Sequence, residues 1–238
     1  MTDASLLDRV AVVTGGSSGI GESIALRYAR EGARVVVSSR DLSRCEQVTN
    51  SILATGQKSL AVACDVRDEQ QVVDLFDRAE EAFGQIDITV ANAGISGGSK
   101  TVEEYPIDEW NRVLATNLTG VFLTVREAFR RMKSHGGHII VMSSQAGVEG
   151  YAGKGVYCAT KFGARGIAHV LAEEGRPYNI NVSALCPGTV DTPILAATNT
   201  KVKRPMARDA VADAAVYLAG LRGNAMIRDI VLERMQMG

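Results

Sequence analysis

Seven short apolar runs punctuate the chain, at residues 10–13, 34–38, 59–64, 86–91, 138–142, 180–186 and 227–232. Several are apolar almost without interruption, as parallel strands are when both sheet faces are covered. The stretches between them have a period near 3.6, as in Gln70-Gln71-Val72-Val73-Asp74-Leu75-Phe76-Asp77-Arg78-Ala79. This alternation predicts right-handed β-α-β crossovers and an α/β fold, a doubly wound parallel sheet of about seven strands with helices on both faces. Nothing in the chain reads as an internal repeat or a proline-rich linker, so residues 1–238 are expected to form a single domain. Thr192 to Arg208 is the expected irregular stretch, since it combines Pro193, Asn199, Lys201, Lys203, Arg204 and Pro205 with few core residues.

The first apolar run leads directly into Thr14-Gly15-Gly16-Ser17-Ser18-Gly19-Ile20-Gly21, and a helical pattern follows from Glu22. A glycine-rich turn between strand and helix lets backbone N–H groups approach a pyrophosphate, and the helix N-terminus adds its positive dipole end. Glycine permits the positive φ and the close approach that a Cβ blocks. The strand–turn–helix setting is what raises a common glycine spacing to a candidate dinucleotide site.

Tyr157 and Lys161 stand four apart and therefore share a helix face. An ammonium that close is expected to draw the phenol pKa down from about 10. A phenol tuned in this way gives a proton to a carbonyl or takes one from an alcohol. Ser144 ends the fifth apolar run thirteen residues before Tyr157, where its hydroxyl can meet the same substrate oxygen. Plainer roles stay open for each residue. Tyr157 and Lys161 can be packing and solvated helix residues, Ser144 or Ser143 a turn cap, Asn117 a polar helix residue, and Asp65 a cap for the helix beginning near Asp68.

Composition narrows the function classes. Apolar residues make up 46% and charged residues 22%, ordinary for a globular protein, and a net charge of −1 gives no general attraction to nucleic acid or an anionic membrane. No apolar run reaches the roughly 18 residues of a spanning helix, and Met1-Thr2-Asp3-Ala4-Ser5 has no signal-peptide layout. Cys45, Cys64, Cys158 and Cys186 form no C-x-x-C pair, so reduced thiols and a cytoplasmic location are expected. His135, His138 and His169 lack ligand spacing, and no metal site is expected.

Taken together, Thr14-Gly-x-x-x-Gly19-Ile-Gly21, Ala91-Asn92-Ala93-Gly94, Asn117, Ser144, Tyr157-x-x-x-Lys161 and Pro187-Gly188 resemble the classical short-chain dehydrogenase/reductase family. Order and approximate spacing agree from about residue 6 to about residue 220. Two departures stand out: Ala91 opens the Asn-Asn-Ala-Gly element, and the family's C-terminal Thr-Gly and Val-Asp-Gly-Gly segment is replaced by Ile227-Arg228-Asp229-Ile230-Val231-Leu232-Glu233-Arg234. The resemblance implies an NAD(P)-binding Rossmann domain with a substrate loop at about 189–208. It implies Tyr157 as general acid/base, Lys161 as the residue that lowers its pKa and binds the nicotinamide ribose, Ser144 as the positioner of the substrate oxygen, and Asn117 as keeper of a proton relay.

For the cofactor the resemblance implies Gly15, Ser17, Ser18, Gly19, Ile20 and Gly21 at the turn, with Asp65, Val66, Asn92, Ala93 and Gly94 beyond it. Pro187, Gly188, Val190 and Thr192 complete that set with Tyr157 and Lys161. Gln145, Tyr151 and Ile194 join Ser144 and Tyr157 as substrate residues, on a wall that also holds Ser96, Val148, Thr189 and Leu195. An acidic residue about 20 residues past the turn favours NAD. Ser39 takes that position here and Arg40 follows, so NADP (NADPH) is expected and NAD less so, although Asp41 could engage Arg40.

The expected function is NADP(H)-dependent interconversion of a carbonyl and an alcohol on a small molecule. One alternative is a 3-ketoacyl-thioester reductase, although the two arginines with which such enzymes dock a carrier protein align with His135 and Tyr178. Another is a non-catalytic NADP-binding redox sensor. The Lys201, Lys203 and Arg204 cluster could recognise a carboxylate or phosphate, or be a solvated face. Helical patterns at about 107–132 and 155–175 carry Val113, Leu114, Val121, Phe122, Val125, Phe129, Val170 and Leu171, which suggests a second apolar stripe and a homodimer or homotetramer.

Overall fold

In a computed structural model of the chain, residues 5–196, 202–222 and 225–235 are described. Seven strands form one parallel sheet: β1 (Val10–Thr14), β2 (Arg34–Ser39), β3 (Ser59–Ala63), β4 (Ile88–Ala91), β5 (Gly137–Met142), β6 (Ile180–Pro187) and β7 (Asp229–Leu232). Their order across the sheet is β3-β2-β1-β4-β5-β6-β7, so direction of winding reverses between β1 and β4. That switch point opens a crevice at the carboxyl ends of the two strands, where ligands of such sheets bind.

Alternate residues of the strands face opposite layers, and each layer is predominantly apolar. Val10, Val12 and Val36 point to a core shared with α3 (Glu69–Phe83), α5 (Gly120–Met132) and α6 (Gly155–Gly175). Ala11, Val13, Val35 and Val37 point the other way, to a core built with α1 (Gly19–Arg30), α2 (Leu42–Leu53) and α8 (Arg208–Ala219). Side chains fix the starts of α2 and α3: Asp41 Oδ1 accepts from Arg44 N at 3.2 Å, and Asp68 Oδ1 accepts from Gln71 N at 3.2 Å. Asp65 does not cap α3; its carboxylate is forked onto Arg67, with Nε at 2.9 Å from Oδ1.

The apolar runs at 86–91 and 227–232 begin two residues before the strands they announce. Ile86 is buried in the approach to β4, and Ile227 and Arg228 lend carbonyls to Ser183 Oγ and Ala184 N before β7 begins. The helical pattern at 107–132 is not one α-helix. It divides into α4 (Ile107–Leu114), a π-helical turn at Ala115–Thr119 and α5. The stretch after Thr192 is more ordered than its composition suggests. It contains the short helix α7 (Pro193–Ala196), and a parallel bridge joins Val190 to Met206. Asn199 and Lys201 lie outside the described residues.

Half of the apolar residues expected to form an outer stripe are core instead. Val113, Val121, Val125 and Phe129 are buried, while Phe122 and Val170 stay exposed. Among the described residues, no helix is long and apolar enough to cross a membrane.

Candidate active site

The glycine turn is built by steric exclusion. Gly15 has φ +64°, and a Cβ there would lie 2.8 Å from Ala93 Cα and 2.9 Å from Asn92 Nδ2. A Cβ on Gly21 would fall 2.3 Å from the Gly15 carbonyl oxygen, so this glycine seats α1 against the turn rather than facing the cleft. Asn92 is the clasp. Its Nδ2 donates to the Thr14 and Gly15 carbonyls at 3.0 and 3.1 Å, and its backbone N–H donates to Thr14 Oγ1 at 3.1 Å. The Asn92 amide is therefore spent on shaping the turn. Ser18 occupies the N-cap of α1 without a side-chain cap bond, which leaves its hydroxyl and the first helical N–H groups facing the cleft.

A cleft of about 830 Å³ runs from this turn across the carboxyl ends of β1, β4, β5 and β6. Gly15, Ser17, Ser18, Gly19 and Ile20 form its near end, with Ala93 and Gly94 beneath. Pro187, Gly188, Val190 and Thr192 form its opposite lip, and Thr192 reaches over the turn so that a Cβ on Gly19 would meet its Cγ2 at 3.6 Å. Ser144, Gln145, Tyr151, Tyr157, Lys161 and Ile194 line the far end.

Besides Gly21, four of the residues assigned to the cofactor lie off this cleft. Ser39 and Arg40 end β2 on the far side of the turn, where Arg40 is exposed. Asp41 does not engage Arg40, because its carboxylate accepts from Ser43 Oγ at 2.8 Å and from Arg44. Ser39 Oγ is tied into the same turn, donating to the Asp41 carbonyl at 3.1 Å. Asp65 lies near enough to Arg40 for the cation to help hold its carboxyl low, after the larger effect of the Arg67 hydrogen bond. The Val66 side chain turns inward, so that a Cβ on Gly120 would meet its Cγ2 at 2.6 Å; only the Val66 backbone is left for a ligand.

Asn117 is fully buried in the π-helical turn. An i→i+5 bulge of this kind is a common mark of functional helices. Its Oδ1 accepts from Ile95 N at 2.8 Å, and its Nδ2 donates to Ile95 O at 2.8 Å and Thr160 Oγ1 at 3.3 Å. The two adjacent serines separate cleanly. Ser143 is buried and donates to the Lys161 carbonyl at 2.9 Å, whereas Ser144 lies beside Tyr157 with Oγ accepting from Ala146 N at 3.1 Å.

The tyrosine–lysine pair corrects one expectation. The Lys161 ammonium lies 5.6 Å from the Tyr157 ring centre and donates to the Met142 carbonyl at 2.7 Å. Burial pushes the Tyr157 phenol above its ordinary value, and the hydrogen bond from Ser144 opposes this only in part. Burial also draws Lys161 down to about 8. The four-residue spacing gives proximity, but desolvation sets the direction of both shifts.

Two groups of cleft residues carried no signal in the sequence pattern. Glu149 and Lys154 stand beside Tyr151, whose hydroxyl bonds the Glu149 carboxylate. Glu233 and Arg234 enter the cleft from the segment after β7, which their composition alone does not reveal. Among the described residues no group of three or more His, Cys, Asp or Glu side chains is placed to hold a metal ion.

Residues 9–203 match the family model described as short chain dehydrogenase. A 3beta-hydroxysteroid dehydrogenase from Mediterraneibacter gnavus is 36% identical over 200 residues, covering 84% of this chain and 72% of that protein. An alcohol dehydrogenase from the archaeon Thermococcus sibiricus, solved with 5-hydroxy-NADP, superimposes with TM-score 0.88 at 29% identity, covering 96% of this chain and 99% of that one. A 3-ketoacyl-(acyl-carrier-protein) reductase from Brucella melitensis, solved with NADH, gives TM-score 0.88 at 32% identity over 95% of this chain and 96% of that one. With the sheet order, glycine turn and Ser–Tyr–Lys cleft already in hand, the chain belongs to the short-chain dehydrogenase/reductase family of oxidoreductases.

Proposed function

We propose that the chain is an NADP(H)-dependent oxidoreductase that interconverts a carbonyl and an alcohol on a small substrate, within a single dinucleotide-binding domain. The observation that carries this reading is the continuity of the cleft from the Gly15–Ile20 turn to Ser144, Tyr157 and Lys161. A dinucleotide fits what is present. The turn has no room for side chains, the α1 N-terminus offers free N–H donors, and Arg40 is exposed, with the nearby Asp65 carboxylate forked onto Arg67 instead. When bound, the reduced nicotinamide supplies a hydride to the carbonyl carbon.

The chain's own groups handle the oxygen. Ser144 holds it by a hydrogen bond, and Tyr157 donates the proton that completes the alcohol. A phenol raised by burial is protonated at neutral pH, which suits carbonyl reduction. In the reverse direction Tyr157 must first lose that proton, and the charged form of Lys161 favours the loss. Asn117 fixes Ile95 next to Gly94, and a Cβ on Gly94 would lie 3.4 Å from Asn117 Oδ1 and 3.7 Å from Lys161 Nζ. Asn117 thus holds the floor of the cleft against the lysine, where a proton relay would pass.

The deciding experiment follows consumption of NADPH and of NADH against a panel of aldehydes, ketones and 3-oxo thioesters. Turnover of small carbonyls with NADPH supports the reading. Cofactor binding without turnover of any of them points instead to a redox sensor.

A further inference from the structure

The chain departs from the family pattern across Ile227–Arg234, and at the end of that stretch, after β7, two charged residues line the cleft. Leu232 O accepts from Gly188 N at 2.8 Å, which brings the end of β7 beside the lip of the site. Glu233 and Arg234 then continue along the cleft wall, which Tyr151 also lines. The Glu233 carboxylate is close enough to contribute, after burial and Glu149, to raising the Tyr151 phenol to about 12. Arg234 is half-buried, and its Nη1 donates to the Lys203 carbonyl at 2.8 Å.

That bond reaches a segment with few other holds among the described residues. Residues 202–206 connect to the lip through Met206 N to Thr189 O at 2.9 Å and Asp191 N to Met206 O at 3.0 Å. Arg204 sits at φ +53°, a conformation unfavourable for a side-chain-bearing residue that its surroundings must impose. Val202 lines the cleft next to Arg234. A guanidinium bond to a carbonyl is the charge-assisted kind that fixes such a contact.

We propose that Arg234 is the positioning residue that sets substrate specificity: by gripping Lys203 O it locks residues 202–206 and the segment after β7 into one wall at the substrate end of the cleft. Its guanidinium acts through that wall and leaves the reacting atoms to Ser144 and Tyr157. The role in specificity rests on the oxidoreductase reading above, whereas the grip on the wall does not.

Two measurements on the full chain separate the parts. In Arg234→Ala, hydrogen exchange of peptides covering 202–206 and 189–191 should accelerate about tenfold, the scale of one lost charge-assisted hydrogen bond, while peptides from β1 to β6 exchange as before. Arg234→Lys, which keeps a donor, should restore part of the protection. With any carbonyl that is turned over, Arg234→Ala should raise KM about tenfold and leave kcat and the dissociation constant for NADPH within twofold. Unchanged exchange at 202–206 overturns the proposal, whether or not a substrate has been found. Faster exchange with unchanged KM across the substrates turned over overturns the role in specificity. Failure of the oxidoreductase reading shows differently, as no turnover by the unsubstituted protein.

Discussion

Asn117 grips Ile95 from both sides, accepting its N–H and donating to its carbonyl, each at 2.8 Å. A backbone N–H and C=O satisfied by one side-chain amide behave like a strand pairing of one residue. The contact pins the loop after β4 to the π-helical turn. Asn117→Ala leaves both Ile95 groups without these partners, at a cost of about 1–3 kcal/mol for each that stays dry. The expected result is a fall of about 2–4 kcal/mol in urea unfolding, with kcat lowered as well. Asn117→Asp keeps an acceptor for Ile95 N but loses the donor to Ile95 O, and should fall between the two. Unfolding of Asn117→Ala that matches the parent would show the contact to be incidental.

Tyr157→Phe removes the hydroxyl and keeps the ring. If Tyr157 is the proton donor, kcat should fall by about 10²–10⁴ while NADPH affinity stays within a few-fold. Activity near the parent level would end the assignment.

Lys161 makes the cofactor-free protein sensitive to alkaline pH in a particular direction. Burial lowers its pKa from 10.5 to about 8, so between those values the unfolded chain holds a proton that the folded chain has released. Stability contributed at this site must therefore rise as pH climbs from about 8 to 10.5, by an amount on the order of 3 kcal/mol for the full shift. Tyr157 acts oppositely at higher pH: its raised pKa gives stability that is present below about 10 and lost as pH rises through the folded value. Subtracting the unfolding profile of Lys161→Met from that of the parent isolates the lysine. A flat difference between pH 7 and 10 would contradict a buried, proton-shedding ammonium.

The sheet was legible because a strand covered on both faces has to be apolar at nearly every position, as in Val10-Ala11-Val12-Val13. The cleft was legible because glycine, tyrosine and lysine carry their constraints locally. What escaped was set by distant neighbours. Asn117 is buried through Ile95 and Thr160, 22 and 43 residues away, so the helical period across Ala115–Thr119 hides the π-helical turn. Val66 faces inward only because Gly120 leaves space above it. Arg234 reaches the cleft because β7 pairs with β6, a register fixed from Ala184↔Asp229 to Pro187↔Leu232. Spacing alone also cannot report desolvation, which sets the direction of the Tyr157 shift.

Arg40 tests cofactor choice. If its exposed guanidinium binds the 2′-phosphate, Arg40→Ala should weaken NADPH by roughly 1.5–3 kcal/mol and leave NADH almost unchanged. Ser39→Asp should move preference toward NADH by placing a carboxylate where the phosphate would sit. Titration calorimetry with both cofactors measures each effect, and a parent protein that already binds NADH more tightly would overturn the expectation.

The outer face of α6 bears on assembly. Phe162 and Val170 are 44% and 57% exposed, and they flank Gly166, where an added Cβ would meet nothing within 4 Å. Their four-residue steps place all three on one stripe, and Phe122 on α5 adds a further exposed ring at 45%. Two α6 helices can approach closely over a glycine between two large apolar side chains, burying surface worth about 25 cal/mol per Å². Self-association through this stripe is therefore expected, giving at least a dimer of the 25.3 kDa chain at micromolar concentration. The double substitution Phe162→Glu and Val170→Glu sets like charges against each other across such a contact and should yield monomer without lowering the melting temperature of the separated subunit by much, since both side chains already face water. Light scattering reads the mass directly: a parent protein that runs as a monomer, or a charged variant that remains a dimer, would place the interface elsewhere or nowhere.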